Sequence, residues 1–400
     1  MKTIGSLLAI LATLTPLSAL AEDAKFQFLK TVSVQELNTI LSVERNKFLK
    51  DEPMPADYHL PAEAKANNDV DIYTVEYTTK IPERNNERVR VSGLLALPKI
   101  GNRKQIPLIS YQHGTVYDKY AVPSYAFKAE TPSRHDHRPE SFEDRYMVAL
   151  FGGNGYAVMA ADYIGFGRSS KGNEAYLIKD TSAQTSLDLY RDVIAYLKQK
   201  NISASNFFLG GWSQGGINTT GFLEQLEAQG VNVKAAFTAS APNDPLAAVN
   251  AFLFHPLINK DSIFIGPMIG QLAFSCETYG GPPGLAKASL NLTYYDKLKS
   301  VYERSYGNPP GDPKALEQIM KDLQDTVNIK LLKESLRTTA ALANSDFGRC
   351  LAGNAAYRQE FKTHLRMYYG NQDAIIRPRI GRLAYEYNLA LNATPQAERE

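Results

Sequence analysis

The sequence predicts an α/β fold: a mainly parallel central sheet flanked by helices, with a helical insertion late in the chain. Three observations carry this. Short apolar runs recur at 106–115, 155–167, 206–216, 233–242 and 364–373, the pattern of strands buried on both faces. Between two of them, the segment 180–200 sets Ala183, Leu187, Tyr190, Ile194 and Leu197 on one helical face, and a second helix is expected over 216–228. From 246 to about 360 this alternation stops and helical stretches replace it. Strand–helix–strand alternation implies parallel strands with helices on both sides of the sheet.

The elements follow in order. Residues 1–21 read as a cleaved signal peptide: Lys2 is the positive start, 4–14 the apolar stretch, Pro16 the break, and Ala19-Leu20-Ala21 the small-residue cleavage site. The alternative, a membrane anchor, fails because the run is short and no stop-transfer pattern follows. The mature chain is therefore expected to be secreted or periplasmic, with no integral membrane anchor. Residues 22–68 read as a polar, helix-prone lead-in ended by Pro53, Pro55 and Pro61. A strand pair is expected at 71–79 and 89–98. The core runs over 69–245, the helical cap over 246–360, and the second part of the core over 361–400. Asp180 or Thr181 is positioned to cap the helix of 180–200. Within the cap, 313–327 and 331–344 read as helices.

Composition narrows the function classes. The 400 residues are 44% hydrophobic and 22% charged, with a net charge of +2. Basic residues are scattered, so a nucleic-acid footprint is not supported. Export makes a disulfide between Cys276 and Cys350 the favoured reading over two buried thiols. No C-x-x-C motif is present, and the His135-x-His137 pair lacks a third ligand at recognisable spacing, so no metal is assigned.

The stretch LGGWSQGG (209–216) contains Gly211-Trp212-Ser213-Gln214-Gly215, a G-x-S-x-G match with a strand pattern before it and a helix pattern after it. This is the context of a nucleophile elbow. Side chains at Gly211 and Gly215 are expected to collide with the neighbouring strand and helix, and the sharp turn lifts the Ser213 hydroxyl clear of the sheet. A second turn, YQHGT (111–115), closes an earlier apolar run. The backbone amides of Gln214 and Thr115 are the expected oxyanion hole. His113 reads as a residue shaping that turn, with a role as base the alternative.

These features together resemble the α/β-hydrolase superfamily, and within it the secreted lipases and esterases. The resemblance rests on GGWSQGG, YQHGT, DYIGFGRS (162–169) and YGNQDAIIRP (369–378), and covers residues 70–378 apart from the insertion. It implies that Asp373, in Gly370-Asn371-Gln372-Asp373, is the triad acid that orients a histidine. Asp244 is the rival position.

The expected chain order is Ser, acid, His. All six histidines (His59, His113, His135, His137, His255 and His364) precede Asp373. His364 begins the last apolar run, about 17 Å of strand from the catalytic rim, and His255 belongs to the cap. A helix is expected over 379–392 and a polar loop over 393–400. The final strand and the catalytic His thus read as missing, with the base expected beyond Glu400. The expected function is hydrolysis of carboxylic esters, small-molecule or lipid, through an acyl-enzyme and without a cofactor. A serine peptidase and a non-catalytic binding protein on the same fold are the alternatives. The cap residues Phe252, Phe254, Phe264 and Ile265 either meet an acyl chain or pack the cap onto the core. Oligomeric state is not legible.

Overall fold

The structure is a computed structural model and describes residues 24–51, 64–128, 142–256, 264–308, 310–324, 328–391 and 397–399. The signal peptide of 1–21 and His59, His135 and His137 lie outside the described residues. Nine strands form one sheet among the described residues: β1 (Lys25–Val32), β2 (Val70–Ile81), β3 (Glu87–Pro98), β4 (Gln105–Gln112), β5 (Ala157–Ala161), β6 (Ser203–Trp212), β7 (Ala235–Ala239), β8 (Leu365–Tyr368) and β9 (Ala397–Arg399). Their order is β1-β2-β3-β5-β4-β6-β7-β8-β9. The pairs β1–β2, β2–β3 and β3–β5 are antiparallel, and every pair from β5–β4 to β8–β9 is parallel. The expected mainly parallel sheet is present.

The helices are α1 (Val34–Asp51), α2 (Phe142–Phe151), α3 (Lys179–Gln199), α4 (Gln214–Ala228), α5 (Pro245–Phe254), α6 (Ile265–Thr278), α7 (Leu285–Ser289), α8 (Leu292–Glu303), α9 (Pro313–Gln324), α10 (Thr339–Ala343), α11 (Asp346–Gly353), α12 (Pro378–Gly381) and α13 (Leu383–Ala390). The apolar runs are explained by burial on both faces. Leu95, Leu108, Met159 and Leu209 pack with Leu189 and Val193 of α3 and Phe222 of α4. Their neighbours Leu94, Ile109 and Val158 point the other way, into a second cluster with Leu37 of α1 and Val148 of α2. Helices α5 to α11, between β7 and β8, build a third cluster with Leu177, Ile217 and Ile376 from the core. The Cys276–Cys350 disulfide forms and ties α6 to α11.

Four expectations are corrected. The lead-in is not simply helical: 25–32 is an edge strand on β2, with Phe26 stacked on Tyr196 at 4.0 Å. Its side chains, only one of them fully buried, weaken the apolar alternation that marks a strand. Helix α3 is capped by neither Asp180 nor Thr181. Its N-cap is Ile178, and the Thr181 amide donates to Glu83 Oε1 at 3.3 Å. The 331–344 helix breaks into short turns and α10, because Leu332 bridges to Leu290 and Thr338 caps Ala341. Finally, 393–400 is not all loop. Ala397, Glu398 and Arg399 pair in parallel with Leu365, Arg366 and Met367, so a strand lies beyond β8. Its charged residues gave no hydrophobic signal.

Candidate active site

Ser213 sits between β6 and α4 with φ 55° and ψ −121°. A non-glycine residue held there is strained by roughly 1–3 kcal/mol, and its surroundings impose the strain. Its amide donates to the Ala239 carbonyl at 2.8 Å, while its own carbonyl accepts from Gly216 at 2.8 Å. A Cβ at Gly211 would stand 2.3 Å from the Gly215 carbonyl oxygen, and one at Gly215 only 1.8 Å from that of Gln112. The glycines therefore allow two close backbone approaches. The second joins the elbow to the 112–115 turn. Thr219 of α4 holds the same turn, donating to Gln112 Oε1 at 2.8 Å.

Gln214 is the first residue of α4, so its amide has no acceptor within the helix and lies at the positive end of the helix dipole. Thr115 is half-buried, and its Oγ1 lies 3.1 Å from the Tyr176 hydroxyl. Tyr176 and half-buried Ser213 line one small cavity with Phe252 of α5, Met268 and Leu272 of α6, and Ile376. Ile376 brings the 370–376 loop to this cavity, and within that loop Asp373 Oδ1 accepts the amides of Ile375 and Ile376, both at 2.8 Å. The rival Asp244 is otherwise engaged. It caps α5, accepting from the Ala247 amide at 2.9 Å. A larger open groove of about 600 Å³ lies at the other end of β6, around Ser203 and Phe207, away from Ser213.

Three histidines fall among the described residues. His113 is buried, stacked on Tyr163 at 4.3 Å, with Nδ1 2.8 Å from the Gly114 carbonyl. A carbonyl only accepts, so Nδ1 carries the proton. Burial pushes its pKa down to about 4, partly offset by that bond, and the ring is neutral at pH 7. Tyr163 donates to the His113 carbonyl at 3.1 Å. This geometry fits a residue that shapes the turn. Exposed His255 ends α5, and its carbonyl accepts from Arg377 at 3.0 Å. His364 is exposed just before β8, and its carbonyl accepts from the Ala236 amide. That end of β8 is opposite the elbow end of the parallel strands. Among the described residues, no three His, Cys, Asp or Glu side chains form a metal-binding group.

Two groups escaped the sequence reading. Glu143 of α2 accepts the Tyr111 hydroxyl at 2.5 Å and the Gly114 amide at 3.1 Å. The residue is half-buried, but its carboxylate is turned inward. Burial raises its pKa to about 7, against the lowering pull of those two donors. Glu174 is fully buried and accepts Gln214 Nε2 at 3.1 Å, Gln271 Nε2 at 3.0 Å and Arg304 at 2.6 Å. Arg304 also donates to the Val116 carbonyl at 3.0 Å. One buried ion pair thus ties the cap to Gln214 and to Val116, the residue that follows the 112–115 turn. No motif marks Glu174. Its partners are distant in sequence, and only folding gathers them.

No protein-family model matches the chain, and no curated protein matches it in sequence. Solved structures do. The rice cell wall degrading esterase LipA from Xanthomonas oryzae is 17% identical, with 94% of this chain and 89% of that one covered at a TM-score of 0.72. Lipase A of Candida antarctica is 16% identical, with 93% and 75% covered at a TM-score of 0.62. At such identities the likeness speaks to architecture. The strained serine between a parallel strand and a helix, the order of the sheet and these neighbours agree that the chain has the α/β-hydrolase fold.

Proposed function

We propose that this chain is an exported serine esterase. Ser213 attacks the ester carbonyl and forms an acyl-enzyme, releasing the alcohol; water then releases the acid and restores the serine. The amides of Gln214 and Thr115 hold the oxyanion, and Asp373 orients the general base. The observation that carries the reading is the strained backbone of Ser213 in the wall of an apolar cavity. The esterase and lipase neighbours support ester over amide substrates. The disulfide supports export, and no helix among the described residues is long and apolar enough to cross a membrane.

The base in this reading is a histidine, the third member of the Ser–acid–His order. The nucleophile is tested with an organophosphonate probe and intact-protein mass measurement. One equivalent of label, absent in Ser213→Ala, is the expected result. A folded wild-type protein that takes no label defeats the esterase reading and favours a binding role. Turnover of aminoacyl arylamides in preference to esters makes the protein a peptidase.

A further inference from the structure

We infer that the cavity beside Ser213 is a fixed acyl pocket for the shortest uncharged acyl groups, so that acetyl and propionyl esters are the preferred substrates. The inference rests on the esterase reading above. Its first support is size. The cavity measures about 20 Å³, and one water-sized group needs roughly 10–15 Å³. A methyl or ethyl group beyond the carbonyl fills this space. A longer chain must push the wall aside.

The second support is chemistry. Among the described residues, no lining residue carries a charge, and apart from Ser213 the only lining hydroxyl belongs to Tyr176, which pairs with Thr115. A carboxylate-bearing or sugar-like acyl part would lose its hydration here without replacement hydrogen bonds.

The third support is rigidity. Met268 and Leu272 stand on α6, which is braced on several sides. Gln271 donates to the buried Glu174 carboxylate at 3.0 Å, and Ser275 Oγ both donates to the Glu174 carbonyl at 2.9 Å and accepts the Tyr176 amide at 3.0 Å. Cys276 is bonded to Cys350. On another face a Cβ at Gly270 would stand 2.9 Å from Leu298 Cβ, so α6 and α8 are in close contact. A wall held by a disulfide, a buried ion-pair network and tight helix packing does not swing open to admit a long chain.

The experiment measures kcat/KM of the full-length protein on p-nitrophenyl acetate, propionate, butyrate, hexanoate and octanoate. A fall of at least tenfold between propionate and hexanoate is expected. In Leu272→Ala and Phe252→Ala the hexanoate-to-acetate ratio is expected to rise at least tenfold. A wild-type profile that is flat or rises with chain length overturns the acyl-pocket inference while leaving the esterase reading intact, and it needs no variant to fold. No turnover of any ester, with no phosphonate label on Ser213, defeats both.

Discussion

Arg304 of the cap donates to the buried carboxylate of Glu174 at 2.6 Å, and the same carboxylate holds the side chain of Gln214, the residue after the candidate nucleophile. Both members are almost fully buried. Removing one leaves the other charge unpaired in the interior, at a cost of about 3–5 kcal/mol. Glu174→Gln and Arg304→Met are each expected to lose that much stability. The double variant should lose less than the sum, by about 1–3 kcal/mol. Denaturant melts of the four proteins measure the cycle, and simple additivity would show that the pair is not coupled.

Ser213 carries backbone strain that glycine does not feel. Ser213→Gly is expected to gain about 1 kcal/mol in stability while losing ester turnover by about 10⁴-fold or more. Ser213→Ala should lose turnover equally but keep the strain. Equal stabilities of the Gly and Ala variants would remove strain from the account of the elbow.

Gly215→Ala drives a Cβ into the Gln112 carbonyl, and neither backbone can yield without moving β4 or α4. A loss of about 3 kcal/mol or more is expected. Gly353, at the end of α11, has open space where a Cβ would stand. Gly353→Ala is expected to be neutral or stabilising by up to about 1 kcal/mol. Thermal melts of the two variants side by side separate steric need from helix propensity.

Glu143 titrates at about 7 in the folded protein, against an ordinary 4.5. The folded state therefore binds the proton more tightly, and this group's contribution to stability falls as pH rises from about 4.5 to about 7. Glu143→Gln retains an acceptor for Gly114 and Tyr111 but does not titrate. The stability of wild type relative to Glu143→Gln should fall between about pH 5 and about pH 8. A difference that stays constant over that range excludes Glu143 as a source of pH dependence.

The sequence by itself determined the local features. The glycines around Ser213, the runs that became β4 to β8, and the periodicity of α3 are short-range patterns, and a strand or helix period is written in neighbouring residues. The cysteine pair was legible because the export expected from the first 21 residues would leave few fates for two cysteines. Tertiary structure decided what depends on distant partners. Glu174 and Arg304 are 130 residues apart, and an isolated glutamate looks the same in sequence whether it is solvated or buried in an ion pair. Strands β1 and β9 sit at the two edges of the sheet, where few apolar residues are needed and the pattern fades. The size of the cavity beside Ser213 is the property furthest from the sequence, because it is set by side chains from five separate stretches of chain meeting at one point.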